Sequence, residues 1–114
     1  MPGYKTVNLE AGMPFADAAI RRLTWELHAA KRMGFSAFKL IHGYGSSGTG
    51  GKLRTESRRY LARMKASGQI KDYIPGEQLS IFDEQTRAAF LKCPELRRDS
   101  DLERHNNGVT VVVL

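Results

Sequence analysis

Apolar positions along the chain change their period several times, and each change marks an element. Tyr4 to Leu9 begins with the alternation of a half-buried strand. Ala16, Ile20, Leu23, Leu27 and Ala30 then recur at spacings of four, three, four and three, one stripe of a helix with Pro14 in its first turn and Gly34 as its natural end. Phe35 to Ile41 is a short apolar run bounded by glycine, which predicts a buried second strand. A second helix is expected from about Lys52 to Ala66, with Leu53, Tyr60, Leu61 and Met64 toward the core and Gly68 at its end. Ile70 to Ile74 alternates and predicts a third strand ahead of a Pro75-Gly76 turn. A third helix follows from Asp83, its N-cap, to Leu91, closing before Pro94. Glu95 to Gly108 is polar and reads as a loop, and Gly108 to Leu114 (GVTVVVL) as a strand.

The order β-α-β-α-β-(α)-β predicts a mixed four-stranded sheet with both long helices on one face, a two-layer α/β sandwich. A chain of 114 residues, 41% of them hydrophobic, supports one core and one domain over residues 1–114. The longest apolar run, Val109 to Leu114, is far shorter than the roughly 20 residues of a membrane-spanning helix. The opening MPGYKTVNLEAG lacks the charged start, apolar middle and cleavage site of a secretory signal, so a cytoplasmic protein without a membrane partner is expected. The single cysteine, Cys93, excludes an internal disulfide and a cysteine-rich zinc cage.

Charge changes the picture once it is located. Between Gly51 and Lys71 there are seven basic residues (Lys52, Arg54, Arg58, Arg59, Arg63, Lys65 and Lys71) and one acid, Glu56, so this stretch carries the whole net charge of +6. A monopolar stretch of this kind is suited to a polyanion. On the predicted helix, Arg54, Arg58 and Lys65 fall in one band about 40° wide beside the apolar stripe, and Lys52, Arg59 and Arg63 in another on its other side.

That helix emerges from a loop built of Gly43, Tyr44, Gly45, Ser46, Ser47, Gly48, Thr49, Gly50 and Gly51. Backbone N–H groups in a glycine loop can converge on an anion, and a helix N-terminus adds a favourable dipole. Lys52 and Arg54 would complete a phosphate pocket, with Arg58 and Arg59 neutralising neighbouring phosphates. The loop is not a Walker-type P-loop, because Ser46 and Leu53 stand where a glycine and a hydroxyl residue are required. Gly43 to Gly48 does match GxGxxG, but the chain is too short for the usual dinucleotide domain. Tyr44, at the loop tip, could stack on an unpaired base or pack over the loop. His42 ends the second strand. It could touch phosphate or serve as a general acid or base, or it could order the loop through a backbone bond.

Leu40-Ile41-His42-Gly43-x-Gly45, running through Gly-Thr-Gly to Leu53-Arg54 and a basic helix with Tyr60-Leu61, resembles the core pattern of the Smr (small MutS-related) domain family. The terminal Gly108-Val109-Thr110-Val111-Val112-Val113-Leu114 is similar to that family's closing G-x-T-x-V-x-L strand. The resemblance implies a two-layer α/β fold similar to the C-terminal domain of bacterial translation initiation factor three, with an insertion over 77–107. It implies binding of DNA or RNA through the loop and basic helix. Alternatives are a nuclease that nicks DNA or cleaves RNA, and a non-catalytic module docking on a ribosome or a repair or translation complex. Val7-Asn8-Leu9-Glu10-Ala11 stands where the family carries L-D-x-H-G, so Asn8 replaces the acid and Glu10 the histidine. His42 and Glu10 are then the candidate catalytic residues. Binding would require no cofactor, and a nuclease could use a divalent metal.

Three further features are weighed on their residues. Asp99, Asp101, Glu103 and His105 alternate at a spacing that suits metal ligands, but Arg104 occupies the glycine position of a calcium loop, and a solvated charged loop with no metal is expected. Trp25 lies opposite the apolar stripe of the first helix, among Arg21, Arg22 and Arg32; it either marks a binding surface or is covered by residues 77–107, and cover is the expectation. His28 is expected at the surface.

Overall fold

Four strands and three α-helices alternate in the computed structural model, which describes residues 3–12, 14–43 and 49–114. The order is β1 (Tyr4–Asn8), α1 (Ala16–Arg32), β2 (Ala37–Ile41), α2 (Thr49–Ala66), β3 (Asp72–Pro75), α3 (Glu84–Lys92) and β4 (Val109–Val113), with 3-10 turns at Gly76–Gln78 and Pro94–Arg98. The sheet order is β1-β2-β4-β3. β1 and β2 are parallel, and β4 runs antiparallel to both of its neighbours, so β1, β2 and β3 share one direction. This is the mixed α/β sheet that the pattern predicts. No helix among the described residues is long and apolar enough to cross a membrane.

Strand alternation divides the core in two. Val7, Leu9, Phe38, Leu40 and Val112 meet Leu23 and Leu27 of α1 and Leu53 and Leu61 of α2. On the opposite face Ala37, Ile74, Val111 and Val113 meet Leu79, Phe90, Cys93 and Leu96. Every residue of β4 is buried, because this strand is covered on both faces and paired on both edges. The α1/α2 layer is the expected sandwich. Residues 76–98 add a second cover on the other face of the sheet, with α3 capped by the Asp83 carboxylate, which accepts from the Thr86 N–H at 2.9 Å.

Several boundaries differ from expectation for identifiable reasons. α1 starts after Phe15, so Pro14 precedes the helix instead of forming its first turn. α2 starts at Thr49, three residues early; the first turn needs no N–H acceptors inside the helix, so glycines there are tolerated. Pro75 belongs to β3, an edge strand, where a missing N–H is harmless. Both long helices close in the same way: Phe35 and Gln69 donate to Ala30 and Met64 across glycines in the left-handed region, Gly34 at φ 82° and Gly68 at φ 81°.

The polar 95–108 segment is solvated only in part: Glu95, Arg97, Arg98, Glu103, Arg104 and His105 are exposed, but Asp99 and Asp101 turn inward. Lys39, the one charged residue in the apolar β2 run, sends its ammonium to Asp99 at 3.1 Å and Asp101 at 2.7 Å. The side chains of Lys39 and Asp99 are only 11% and 2% exposed. Burial opposes the lysine charge, but bonds to the two carboxylates outweigh it and hold its pKa above the ordinary value. The Tyr4 hydroxyl donates to Asp99 as well, and burial together with that bond pushes the phenol pKa up. Trp25 is likewise not covered. It is 63% exposed, because the 76–98 cover lies on the other face of the sheet from α1.

Candidate nucleic-acid interface

The C-terminal ends of β1 and β2 and the start of β4 meet at one edge of the molecule, where Asn8, Ile41 and Val109 are in register. Just beyond, the Leu9 N–H donates to the Ile41 carbonyl at 2.8 Å, and the N–H groups of His42 and Gly43 both reach the Gly108 carbonyl at 3.0 Å. Gly43 has φ 79°, and a Cβ built on it would run into the carboxyl of Glu10. Glycine is therefore favoured there by backbone conformation, whereas the Glu10 carboxyl is the far end of an exposed, flexible side chain that can move aside. Glu10 follows a small turn in which Asn8 Oδ1 accepts the Glu10 N–H at 2.9 Å, leaving its side chain exposed beside Gly43.

His42 is fully buried, and both ring nitrogens are engaged. Nδ1 lies 2.8 Å from the Gly43 carbonyl and Nε2 lies 2.8 Å from Thr110 Oγ1. A carbonyl can only accept, so Nδ1 carries the proton. In the neutral ring Nε2 then accepts from the Thr110 hydroxyl, whose oxygen accepts in turn from Arg58 Nε at 3.1 Å. The bonds form one continuous chain of donors from Arg58 through Thr110 and His42 to the loop backbone. Burial is the main reason that the His42 pKa drops to about 4; the nearby charges of Arg58 and Arg54 lower it further, against the opposing bond to Gly43.

Arg58 is the anchor of this chain. Its two terminal nitrogens grip the Glu77 carboxylate at 2.9 Å and 2.7 Å, and one of them also points at the Val109 carbonyl at 3.2 Å. Burial works against the Glu77 charge, but the guanidinium prevails and holds that carboxyl below the usual range. Such bidentate pairs fix geometry as well as charge.

The residues expected to bind phosphate are thus distributed. Arg54 and Arg58 lie on the β3/β4 side of α2, where both act electrostatically on His42 and Glu77. Lys52 and Arg59 lie on the side facing α1, and Arg59 pairs with Glu56 at 3.1 Å. Gly51 is in the first turn of α2, as are the backbones of Thr49 and Gly50, so these three are helical and not part of the loop. Tyr44, Gly45, Ser46, Ser47 and Gly48 lie outside the described residues. No group of three or more His, Cys, Asp or Glu side chains among the described residues is arranged to hold a metal ion.

The sequence pattern gives no site role to two members of this arrangement, Thr110, which enters only as part of the closing strand motif, and Glu77. Thr110 had a signal: it is the one hydroxyl in an otherwise all-valine central strand, and a buried hydroxyl needs partners. Glu77 had none, since its partner is nineteen residues away on a different element.

No protein-family model matches the sequence, and no curated protein matches it significantly. Among solved structures the chain is similar to the Smr domain of Thermus thermophilus MutS2, with 24% identity and a TM-score of 0.59 over 96% of each chain. That likeness establishes the fold, the α/β arrangement of that domain, over nearly the whole chain.

Proposed function

We propose that this Smr-fold chain binds nucleic acid, with the segment from Gly43 into the first turns of α2 receiving the phosphate backbone. The observation that carries this reading is the start of α2. A helix N-terminus favours acidic side chains, yet the first turn of α2 has none, and Lys52 and Arg54 follow directly. Arg58, Arg59 and Lys65 are paired with Glu77, Glu56 and Asp72, whereas Lys52 and Arg54 form no salt bridge among the described residues. Positive charge gathered at the positive end of a helix dipole is stabilised by an external anion. In this reading Arg58 and His42 hold the loop mouth in shape, and Lys52 and Arg54 supply the contact.

Binding to a labelled oligonucleotide, followed across a salt series, tests it. The log–log slope should be about −0.7 to −0.9 per phosphate neutralised, and Arg54→Ala should weaken binding and reduce the slope by about one such increment. An affinity insensitive to salt and to Arg54→Ala removes the proposal.

A second reading, cleavage of the bound strand, rests on Glu10, whose exposed carboxylate sits beside Gly43 at the same mouth. Glu10 would serve as the base, and His42, neutral with both nitrogens engaged, would be a positioning residue. Cleavage by the wild type with or without divalent metal, lost in Glu10→Gln while binding is retained, is its expected signature; equal cleavage by both proteins refutes it.

A further inference from the structure

α1 and α2 lie side by side and point the same way. At their starts Ala16, Asp17 and Ile20 share a cleft with Lys52 and Glu56. In the middle the Thr24 hydroxyl donates to Tyr60 Oη at 2.9 Å, and beyond their ends Lys31 Nζ reaches the Gln69 carbonyl at 2.9 Å. Away from the sheet, α1 presents Arg21, Trp25, His28 and Arg32 at spacings of four, three and four, all exposed. α2 runs beside it with Lys52, Glu56, Arg59 and Arg63 at the same spacings. The acids on this face are engaged only in exposed pairs, Asp17 with Arg21 at 3.6 Å and Glu56 with Arg59 at 3.1 Å. Such pairs are easily exchanged for other partners. Arg32, Lys52 and Arg63 have no carboxylate partner among the described residues, so the face is a positive surface with Trp25 in it.

Trp25 is the only tryptophan of the chain and is 63% exposed. An exposed indole on a helix face that also carries Arg21 and Arg32 has the two properties that sequence-tolerant binding of single strands requires, a flat apolar stacking surface and cations on the same face. A duplex offers phosphates but keeps its base faces stacked against each other, so it can use the cations and not the indole. We infer that the outer face of α1 and α2 is a second contact for single-stranded nucleic acid, in which Trp25 stacks on an unpaired base while Arg21, Arg32 and Arg63 meet the adjoining phosphates. This rests on the proposed nucleic-acid binding at the start of α2, and extends it by naming the unpaired strand as the preferred ligand.

The test is the emission of Trp25 itself, recorded while the full chain is titrated with a single-stranded oligonucleotide and with a blunt duplex containing the same sequence. Stacking should quench emission with the single strand and not with the duplex. Trp25→Ala, checked for folding by circular dichroism, should lose about 5- to 150-fold in affinity for the single strand and less than about twofold for the duplex. Unchanged single-strand affinity in Trp25→Ala, with binding still lost in Arg54→Ala, overturns this inference and leaves the first binding site standing. Absence of binding to either probe at low salt overturns both. Emission that shifts with protein concentration alone, with a matching dimer in sedimentation, assigns the face to a second copy of the chain and also overturns the inference.

Discussion

Acidification from pH 7 to pH 5 should cost the fold about 2 kcal/mol through one side chain, His42. An unfolded histidine takes up a proton near 6.5, whereas the folded His42 resists until about 4. Between those values protons bind the unfolded chain in preference, so the contribution is fully present above about 6.5 and fades as pH falls toward 4. With these two pKa values the loss reaches ~2 kcal/mol at pH 5 and ~3 kcal/mol at pH 4. The carboxylates held below their ordinary range, Asp72, Glu77 and Asp101, contribute in the same direction, but their unfolded values lie near 4, so the interval from pH 7 to 5 isolates the histidine. Urea unfolding at pH 7, 6 and 5, followed by circular dichroism, measures the effect. His42→Asn keeps an N–H where Nδ1 stands and removes the titration, so it should be less stable at pH 7 but flatter with pH. His28 and His105 remain in both proteins and cancel in the comparison. A wild-type stability constant to within ~0.5 kcal/mol from pH 7 to 5, or the same slope in His42→Asn, refutes the assignment of a buried neutral imidazole.

Gly43→Ala should lower stability by about 1 to 2 kcal/mol for its left-handed backbone, and by nearly the same amount in a Glu10→Ala background, because the exposed Glu10 carboxyl can swing away. Thermal melts of Gly43→Ala in wild-type and Glu10→Ala backgrounds measure this, and a loss confined to the wild-type background refutes the backbone as its cause. Lys39→Met should cost about 3 to 5 kcal/mol by leaving Asp99 and Asp101 buried without their cation. Asp99→Asn together with Asp101→Asn in that background should recover part of the loss in chemical denaturation; no recovery excludes charge as the cause.

The pattern of apolar residues was sufficient for the framework, and the reason is local. α1, β2, α2 and β4 each carry their burial period within a single segment, and the glycines that end α1 and α2 stand next to the residues they cap. The failures share a cause, which is dependence on a distant partner. Asp99 and Asp101 look solvated until Lys39, some sixty residues earlier, is brought beneath them. Trp25 looks like a residue awaiting cover until the topology places that cover on the far side of the sheet. At the candidate site, the glycine motif and the basic helix could be read directly. The fixing of His42 by Thr110, Arg58 and Glu77 could not, since those three come from β4, α2 and the turn after β3.

The position of β4 has a consequence for how this chain acquires its structure. It is the last strand in sequence, yet it lies between β2 and β3, and without it β3 shares no sheet hydrogen bond with the β1–β2 ribbon. During synthesis the first three strands therefore emerge before the surface that unites them exists. Phe38 and Leu40 can be partly sheltered by α1, but Ile74 has no strand to pair with until Val109–Val113 has left the ribosome. Assembly of the sheet is thus a late event dominated by contacts between distant residues, the kind of topology that folds slowly for its size. Order of emergence and order of assembly are not the same in this molecule, and the interval between them is when its apolar segments are open to chaperones or to one another.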